Sequence, residues 1–411
     1  MKYEQVKLKD VIFFNPKETI KKNQLTKKIP MDALIPFTRK VGYYEVKEFS
    51  SGTKFRNNDI LMARITPCLE NGKTAYVDIL NEDEVAFGST EYFVLRANEN
   101  YILPKYLYYL SISDGLRNIV IKSMTGTSGR QRAQKEAVLD FEIELPSISI
   151  QKKVLSILDS IDSKIELNNQ IISNLEELAS TLFKRWFVDF EFPDENGNPY
   201  KSSGGKMVDN ELGKIPEGWE ATSLSDIANY KNGLAMQKFR PDENEKSLPV
   251  LKIKELNQGF TDSNSDRCSI DISDEVKIEN GDVVFSWSGT LLVKIWTGGD
   301  AGLNQHLFKV TSNKFPKWYY YLWTKFYMNK FIGIAKDKAT TMGHIKRQHL
   351  SEAKVIIPSI NMLEKFGKVL GPTIDMITEK GIENLELSNL RDSLLPKLLS
   401  GEIELPEDEE V

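Results

Sequence analysis

The stretch PSISIQKKVLSILDSIDSKIELNNQIISNLEELASTLFKRWFVDF, Pro146 to Phe190, decides the architecture. From Val154 its apolar residues recur at Leu158, Ile161, Ile165, Ile172, Leu175, Ala179, Leu182 and Trp186, and Asn168 fills the gap in an alternating four-three spacing. That period describes a coiled-coil seam. Sustained from Val154 to Trp186, it makes a rod of about 50 Å at 1.5 Å per residue, its apolar stripe too narrow for a helix buried on all sides. Such a helix requires a partner. Asn168 reads as a register device, since one buried Asn fixes pairing at a cost in stability.

The partner lies in the same chain. The shift that carries Pro146-Ser147-Ile148 onto Pro358-Ser359-Ile360 also carries Val154 onto Phe366, Leu158 onto Leu370 and Ile165 onto Ile377. It carries Leu175, Leu178 and Leu182 onto Leu387, Leu390 and Leu394. The chain is a tandem repeat, each half a globular segment followed by a long helix. Phe366, Leu370, Ile377, Leu387, Leu390 and Leu394 are the expected seam of the second helix, and Pro372 and Gly381 predict a bend or a frayed turn in it.

The globular segments repeat as well. Strands are expected at Asp59 to Ile65, Thr74 to Leu80 and Glu91 to Arg96, separated by turn signals such as Glu70-Asn71-Gly72. Pro104 opens a helix running through Leu116 to Val120, and Phe141 to Leu145 forms a last strand. In the second half Asp282-Val283-Val284 answers Asp59-Ile60-Leu61, and Leu307-Phe308 answers Tyr92-Phe93. Pro316-Lys317-Trp318-Tyr319 likewise answers Pro104-Lys105-Tyr106-Leu107. Between these frames the two halves diverge. The fold class is α/β in the α+β sense: two α/β domains in tandem and two long helices forming an antiparallel coiled coil. The expected divisions are 1–146 and 213–358 for the domains, 147–190 and 359–405 for the helices, 191–212 for a polar linker rich in Gly, Ser, Pro and Asn, and 406–411 for an acidic tail.

With 411 residues the chain has room for two or three domains. Its apolar runs are too short and interrupted to span a bilayer and Met1 to Asp10 is too polar for a signal peptide, so a cytoplasmic protein is expected. Cys68 and Cys268 sit at non-equivalent positions of the two halves, which fits free thiols and offers no metal cluster. The net charge of −5 does not exclude nucleic acid, because acidic residues bunch at Asp189 to Glu195 and Glu402 to Glu410 and leave locally basic segments elsewhere.

Three further segments carry a family resemblance: Leu182-Phe183-Lys184-Arg185-Trp186-Phe187-Val188-Asp189-Phe190, Leu212-Gly213-Lys214-Ile215-Pro216-Glu217-Gly218-Trp219, and Leu394-Leu395-Pro396-Lys397-Leu398-Leu399-Ser400-Gly401-Glu402-Ile403. In this order and at repeat spacing the chain resembles, over nearly its whole length, the specificity subunit of type I restriction-modification systems. The resemblance implies a non-catalytic DNA reader with two target-recognition domains, one for each half of a bipartite, asymmetric site in double-stranded DNA. It implies paired helices that act as a ruler and dock two methyltransferase subunits, with restriction subunits joining them. No cofactor is implied for this chain; S-adenosylmethionine and ATP would belong to the partner subunits. A pseudo-two-fold arrangement of domain and helix would itself lay the helices antiparallel and match the approximate dyad of duplex DNA.

Contacts to DNA divide into phosphate clamps and base readers. Before the last strand of the first domain lies a loop poor in apolar bulk: Thr125, Thr127, Ser128, Gly129, Arg130, Gln131, Arg132 and Lys135. Lys338, Thr340, Thr341, Gly343, His344, Lys346 and Arg347 fill the same frame in the second. Small residues let backbone amides approach phosphate, and Arg and Gln match guanine and adenine edges. A second candidate surface comprises Arg64, Thr66, Glu70, Asn71 and Lys73, matched by Ser286, Trp287, Ser288, Asn304, Gln305 and His306.

Two rival classes are a DNA-modifying enzyme with its own site and a coiled-coil adaptor that binds only protein. Against the first, no Asn-Pro-Pro-aromatic or Asp-Pro-Pro-Tyr tetrapeptide and no GxxxxGK[ST] loop occurs. Pro241-Asp242 followed by Glu275-Val276-Lys277 is only a loose nuclease-like order, and His344 and His349 are off the one-turn spacing of a helical metal pair. The adaptor leaves the paired basic loops unexplained.

Overall fold

The structure, a computed structural model, describes residues 3–337 and 343–405. Two compact units are present: Met1–Lys164 with Leu387–Val411, and Ile165–Glu386. The boundary between them falls inside both long helices, Ile148–Phe187 and Ile360–Ser400, so each unit holds one globular segment and a portion of each helix.

In the first unit, Tyr3–Lys7 pairs antiparallel with Glu142–Pro146. An antiparallel sheet follows in the order Ile12–Phe14, Tyr92–Ala97, Ile60–Ala63, Thr74–Tyr76. Another runs Glu45–Glu48, Leu25–Ile29, Ala86–Gly88, Thr53–Phe55, its middle pair parallel. The central strands are apolar on both faces: Ile60–Ala63 is buried throughout, covered on one side by the helix Pro104–Ile112 and on the other by the core around Phe55, Leu61 and Val94. The helix expected from Pro104 to Val120 is divided. Ser113 turns to extended backbone (ψ 146°), its Oγ bonds the Leu110 carbonyl at 2.7 Å, and Asp114–Lys122 starts afresh.

The second unit repeats this order strand for strand. Glu220–Ser223 pairs with Lys354–Ile357. One sheet runs Asn229–Asn232, Leu307–Thr311, Val283–Ser286, Leu292–Ile295. The other runs Arg267–Ser269, Ser247–Leu251, Ala301–Leu303, Lys277–Ile278, again with a parallel middle pair. Here the helix Lys317–Asp337 is unbroken. The joint from Glu191 to Leu212 carries structure of its own. Phe192 stacks on Trp219 with centroids 5.0 Å apart, Tyr200 stacks on Phe192 at 4.5 Å, and Met207–Asn210 forms a hairpin with Gly213–Pro216. Phe183, Phe187, Trp318, Trp323 and Phe366 complete this aromatic core, which accounts for the aromatic residues after the first helix and for the Gly218-Trp219 opening.

Within each unit the helix portions pair antiparallel. In the second, Trp186 stacks on Phe366 at 5.0 Å, and the buried Asn168 donates to Glu383 Oε2 and Asn384 Oδ1, both at 3.0 Å. In the first, Val154 and Leu158 share a core with Leu395 and Leu398, and Arg391 bonds Asp162 at 3.0 Å. Ile165, Ile172, Leu175 and Leu182 are half-buried, as are Leu387 and Leu394. Leu390, expected in the seam, is 48% exposed, and the seam position beside it belongs to Arg391, 6% exposed. Ile374, not among the expected seam residues, is also buried.

Of the bend or frayed turn expected at Pro372 and Gly381, the frayed turn is absent, for Ile360–Ser400 is continuous. Pro372 is exposed, so water reaches the carbonyl it frees. Gly381 serves a close approach: a Cβ there would lie 2.7 Å from Thr297 Oγ1 and 2.8 Å from its Cγ2. Gly381→Val is therefore expected to destabilise the second unit by about 1–3 kcal/mol despite its relief of glycine's backbone entropy. Denaturant unfolding of the variant against the parent measures this.

Candidate nucleic-acid interface

Three backbone segments meet in each globular domain and build one frame twice. In the first unit the Arg64 amide donates to the Glu91 carbonyl at 3.0 Å, the Ala133 amide to the Arg64 carbonyl at 2.8 Å, and the Thr66 amide to the Gln131 carbonyl at 3.0 Å. In the second, Trp287 donates to the His306 carbonyl at 3.4 Å, Ile345 to Trp287 at 3.0 Å, and Gly289 to Gly343 at 2.9 Å. Isolated bridges Ile65 to Arg132 and Ser288 to His344 occupy the same step. The basic loops and the strand-loop surface, read separately from the sequence, are thus adjoining parts of one site in each half.

The side chains on that frame differ. Arg132 donates through Nε and Nη2 to Glu91, the shortest contact 2.7 Å, and Arg64 Nε reaches Glu91 Oε2 at 3.2 Å while its guanidinium lies 5.5 Å from the centre of the Phe93 ring. Glu91 has no place among the expected contact residues. The signal for it was the match of Phe93 with Phe308, which sets Glu91 opposite His306. In the second half, Trp287 packs 5.9 Å from His306, 6.4 Å from His344 and 5.8 Å from Phe308, centroid to centroid. Trp287 Nε1 and His306 Nδ1 are buried with no hydrogen-bond partner among the described residues.

The hydrogen bonds from Arg132, joined by those from Arg64, outweigh partial burial and hold the Glu91 carboxyl below its ordinary value. A depressed carboxyl contributes stability above the unfolded-state value, about 4.3 for Glu, and loses it as pH falls through the folded value. Acidification below pH ~4 is therefore expected to release Arg132 and speed hydrogen exchange of the Arg132 and Thr125 amides, which bond each other's carbonyls, before the unit unfolds. Glu91→Gln should remove that pH dependence.

Thr125, Thr127, Ser128 and Arg130 are exposed on the tip of the loop, with Gln131 half-buried behind them. Gly126 takes φ +128°, and a Cβ there would meet the Arg130 carbonyl oxygen at 3.0 Å, so the tip is tight. Lys135 is exposed on the following helix beside Glu136. Lys73 turns inward, donating to the Met31 carbonyl at 2.8 Å, and Asn304 is buried; both stand apart from the exposed loops, whereas Gln305 is exposed beside His306. His344, Lys346 and Arg347 are exposed, Arg347 donating to the Tyr230 carbonyl at 3.2 Å above the Phe308 ring. Lys338, Thr340 and Thr341 lie outside the described residues, as does the tail 406–411.

His349 accepts the Lys346 amide at 3.1 Å, Glu275 pairs with Lys231, and Lys277 with Asp274 at 2.9 Å, so the loose nuclease-like order is dispersed in separate surface pairs. Among the described residues no group of three His, Cys, Asp or Glu could hold a metal ion, and no helix is long and apolar enough to cross a membrane.

The family model for the type I restriction modification DNA specificity domain matches residues 1–177 and 216–387, once in each half. Among curated relatives, the type I restriction enzyme HindI specificity subunit of Haemophilus influenzae is 26% identical over 406 residues, covering 85% of this chain and 87% of that protein. The MjaIX specificity subunit of Methanocaldococcus jannaschii is 28% identical over 316 residues, covering 74% and 70%. The crystal structure of a type I system S subunit from M. genitalium shares the fold at a TM-score of 0.51 and 15% identity, over 97% of this chain and 96% of that one. S-adenosylmethionine and ATP are used in such systems by the modification and restriction subunits. A duplicated frame that keeps its backbone and changes its side chains, matched in both halves by one recognition model, places the chain in the type I restriction-modification specificity family, as the non-catalytic subunit that determines which DNA the complex acts on.

Proposed function

We propose that the chain reads a bipartite, asymmetric sequence in double-stranded DNA, residues 1–146 and 213–358 being the two target-recognition domains and 191–212 their joint. The observation that carries this is the pair of equivalent frames bearing different chemistry, Arg64, Glu91 and Arg132 against Trp287, His306 and His344. The loop residues Thr125, Thr127, Ser128, Arg130, Gln131 and Lys135, with Lys338, Thr340, Thr341, Lys346 and Arg347, clamp phosphates or reach base edges beside them. Gln305 adds an amide capable of pairing with adenine, while Lys73 and Asn304 hold the frame in place.

The long helices dock two methyltransferase subunits. Outside the paired faces, Leu167 and Leu178 are about half exposed on the first helix, and Val369, Met376 and Leu390 on the second. The repeat shift carries Leu178 onto Leu390, so each helix exposes a leucine at the same repeat position, an apolar contact suited to a partner helix. Two equivalent exposed leucines fit two copies of one partner, each placed to methylate an adenine in its half-site, with restriction subunits joining the same cytoplasmic complex.

Single-molecule sequencing of genomic DNA from the source strain, with and without the gene, tests this. Loss of one split methyladenine motif on deletion is the expected result. A motif without a gap, or one that survives deletion, would count against it.

A further inference from the structure

The frame at which Arg64, Glu91 and Arg132 meet holds two guanidinium forks in the first half and an indole with two imidazoles in the second. Arg132 spends Nε and one Nη2 hydrogen on Glu91, and Arg64 spends Nε. Both arginines are left with Nη hydrogens, and with 35% and 43% of their side chains exposed for Arg64 and Arg132 those donors face solvent. A guanidinium is rigid and planar, so fixing Nε fixes the direction of the remaining N–H groups. Two forks held on one carboxylate present only donors, and the major-groove edge that presents only acceptors is guanine, at N7 and O6.

The second half places an indole and two imidazoles at the equivalent positions. Trp287 Nε1 and His306 Nδ1 are buried with no partner among the described residues, and the Trp287 ring covers Phe308 where Arg64 covers Phe93. Imidazole both donates and accepts, and an indole face offers apolar contact. That combination matches an A·T pair, with its adjoining donor, acceptors and methyl group, better than the acceptor-only guanine edge.

Resting on the reading of the two domains as DNA readers, we propose that these three aligned positions are a specificity-determining set. Arg64 and Arg132 read guanine in the first half-site, Glu91 is the positioning residue that aims them, and Trp287, His306 and His344 read an A·T pair in the second. The set has a built-in asymmetry: changing Glu91 alters one half-site and leaves the other untouched.

The test is methylome sequencing of cells expressing the whole complex with wild-type chain, Glu91→Gln, Arg132→Lys or His306→Gln. Glu91→Gln keeps the side-chain shape but weakens its hold on both arginines, and Arg132→Lys keeps the charge but loses the fork. Both are expected to relax one guanine position of the first half-site, with discrimination falling roughly ten- to hundred-fold, and to leave the second half-site unchanged. His306→Gln is expected to change the second half-site only. A uniform drop in methylation at an unaltered motif would show that Glu91 and Arg132 merely latch the loop or clamp phosphate, and would overturn the proposal. So would a first half-site containing no guanine. If Glu91→Gln failed to assemble, Arg132→Lys and His306→Gln would decide. A wild-type complex that writes no split motif would instead bring down the underlying reading, before any variant is compared.

Discussion

Replacing Arg391 by alanine is expected to cost the first unit about 3–5 kcal/mol, the range for breaking a buried ion pair from one side. Arg391 and Asp162 are 7% and 4% exposed and 3.0 Å apart. Asp162 also accepts the Tyr109 hydroxyl at 2.7 Å, and burial, with that carboxylate beside it, pushes the Tyr109 phenol well up. Asp159 extends the network, taking Arg39 at 2.7 Å and Lys105 at 2.5 Å. Removing the guanidinium leaves Asp162 buried without its counter-charge. Urea unfolding should show the loss as a shift of midpoint, and a change below about 1 kcal/mol would mean that water already screens the pair. Because desolvation opposes the attraction, replacing Asp162 and Arg391 together by leucine should be far milder than either single change. The repeat explains what the pair does for the fold. Arg391 occupies the frame of Ala179, and Asp162 that of Ile374, so a helix paired with its own copy would bury one charge against an apolar residue.

Phe366→Ala is expected to destabilise the second unit by about 3–5 kcal/mol. Phe366 is 1% exposed, and its ring centroid lies 5.0 Å from that of Trp186, 5.1 Å from Phe187, 5.7 Å from Phe192 and 6.2 Å from Trp219. These rings come from the end of the first helix, the joint, the opening of the domain and the start of the second helix, so one truncation opens a cavity common to four segments. Thermal unfolding measures the effect. Phe366→Leu should recover more than half of the loss, and an alanine variant as stable as the parent would show that the cluster collapses around the gap.

The duplication was legible because apolar frames and the Pro-Ser-Ile junctions survive the repeat shift, and such patterns follow from which face of a strand or helix is buried. The seam of the first helix was legible for the same reason. The seam of the second misled at Leu390, where a charged residue holds the buried position and an exposed leucine stands beside it. Hydropathy passes over Arg391 because its burial depends on Asp162, a residue far away in the chain. The joint from Glu191 to Leu212 has the composition of a linker, yet Phe192 and Tyr200 are enough to fold it onto Trp219.

The candidate site was legible as loops but not as a constellation. Its unity depends on hydrogen bonds among three segments distant in sequence, and Glu91 gives no local sign that two arginines converge on it. Arg64 and Arg132 were visible as cations, but their being held on one carboxylate was not. Lys73 shows the converse: a lysine in a polar loop, it is turned inward by the Met31 carbonyl.

The most direct test of the account is to replace residues 213–358 by the matching segment of another specificity subunit of known target and to sequence the methylome of cells carrying the hybrid with its partner subunits. The account predicts that the second half-site becomes the donor's while the first half-site and the gap stay as they were. A change in both half-sites, or in neither, would contradict it.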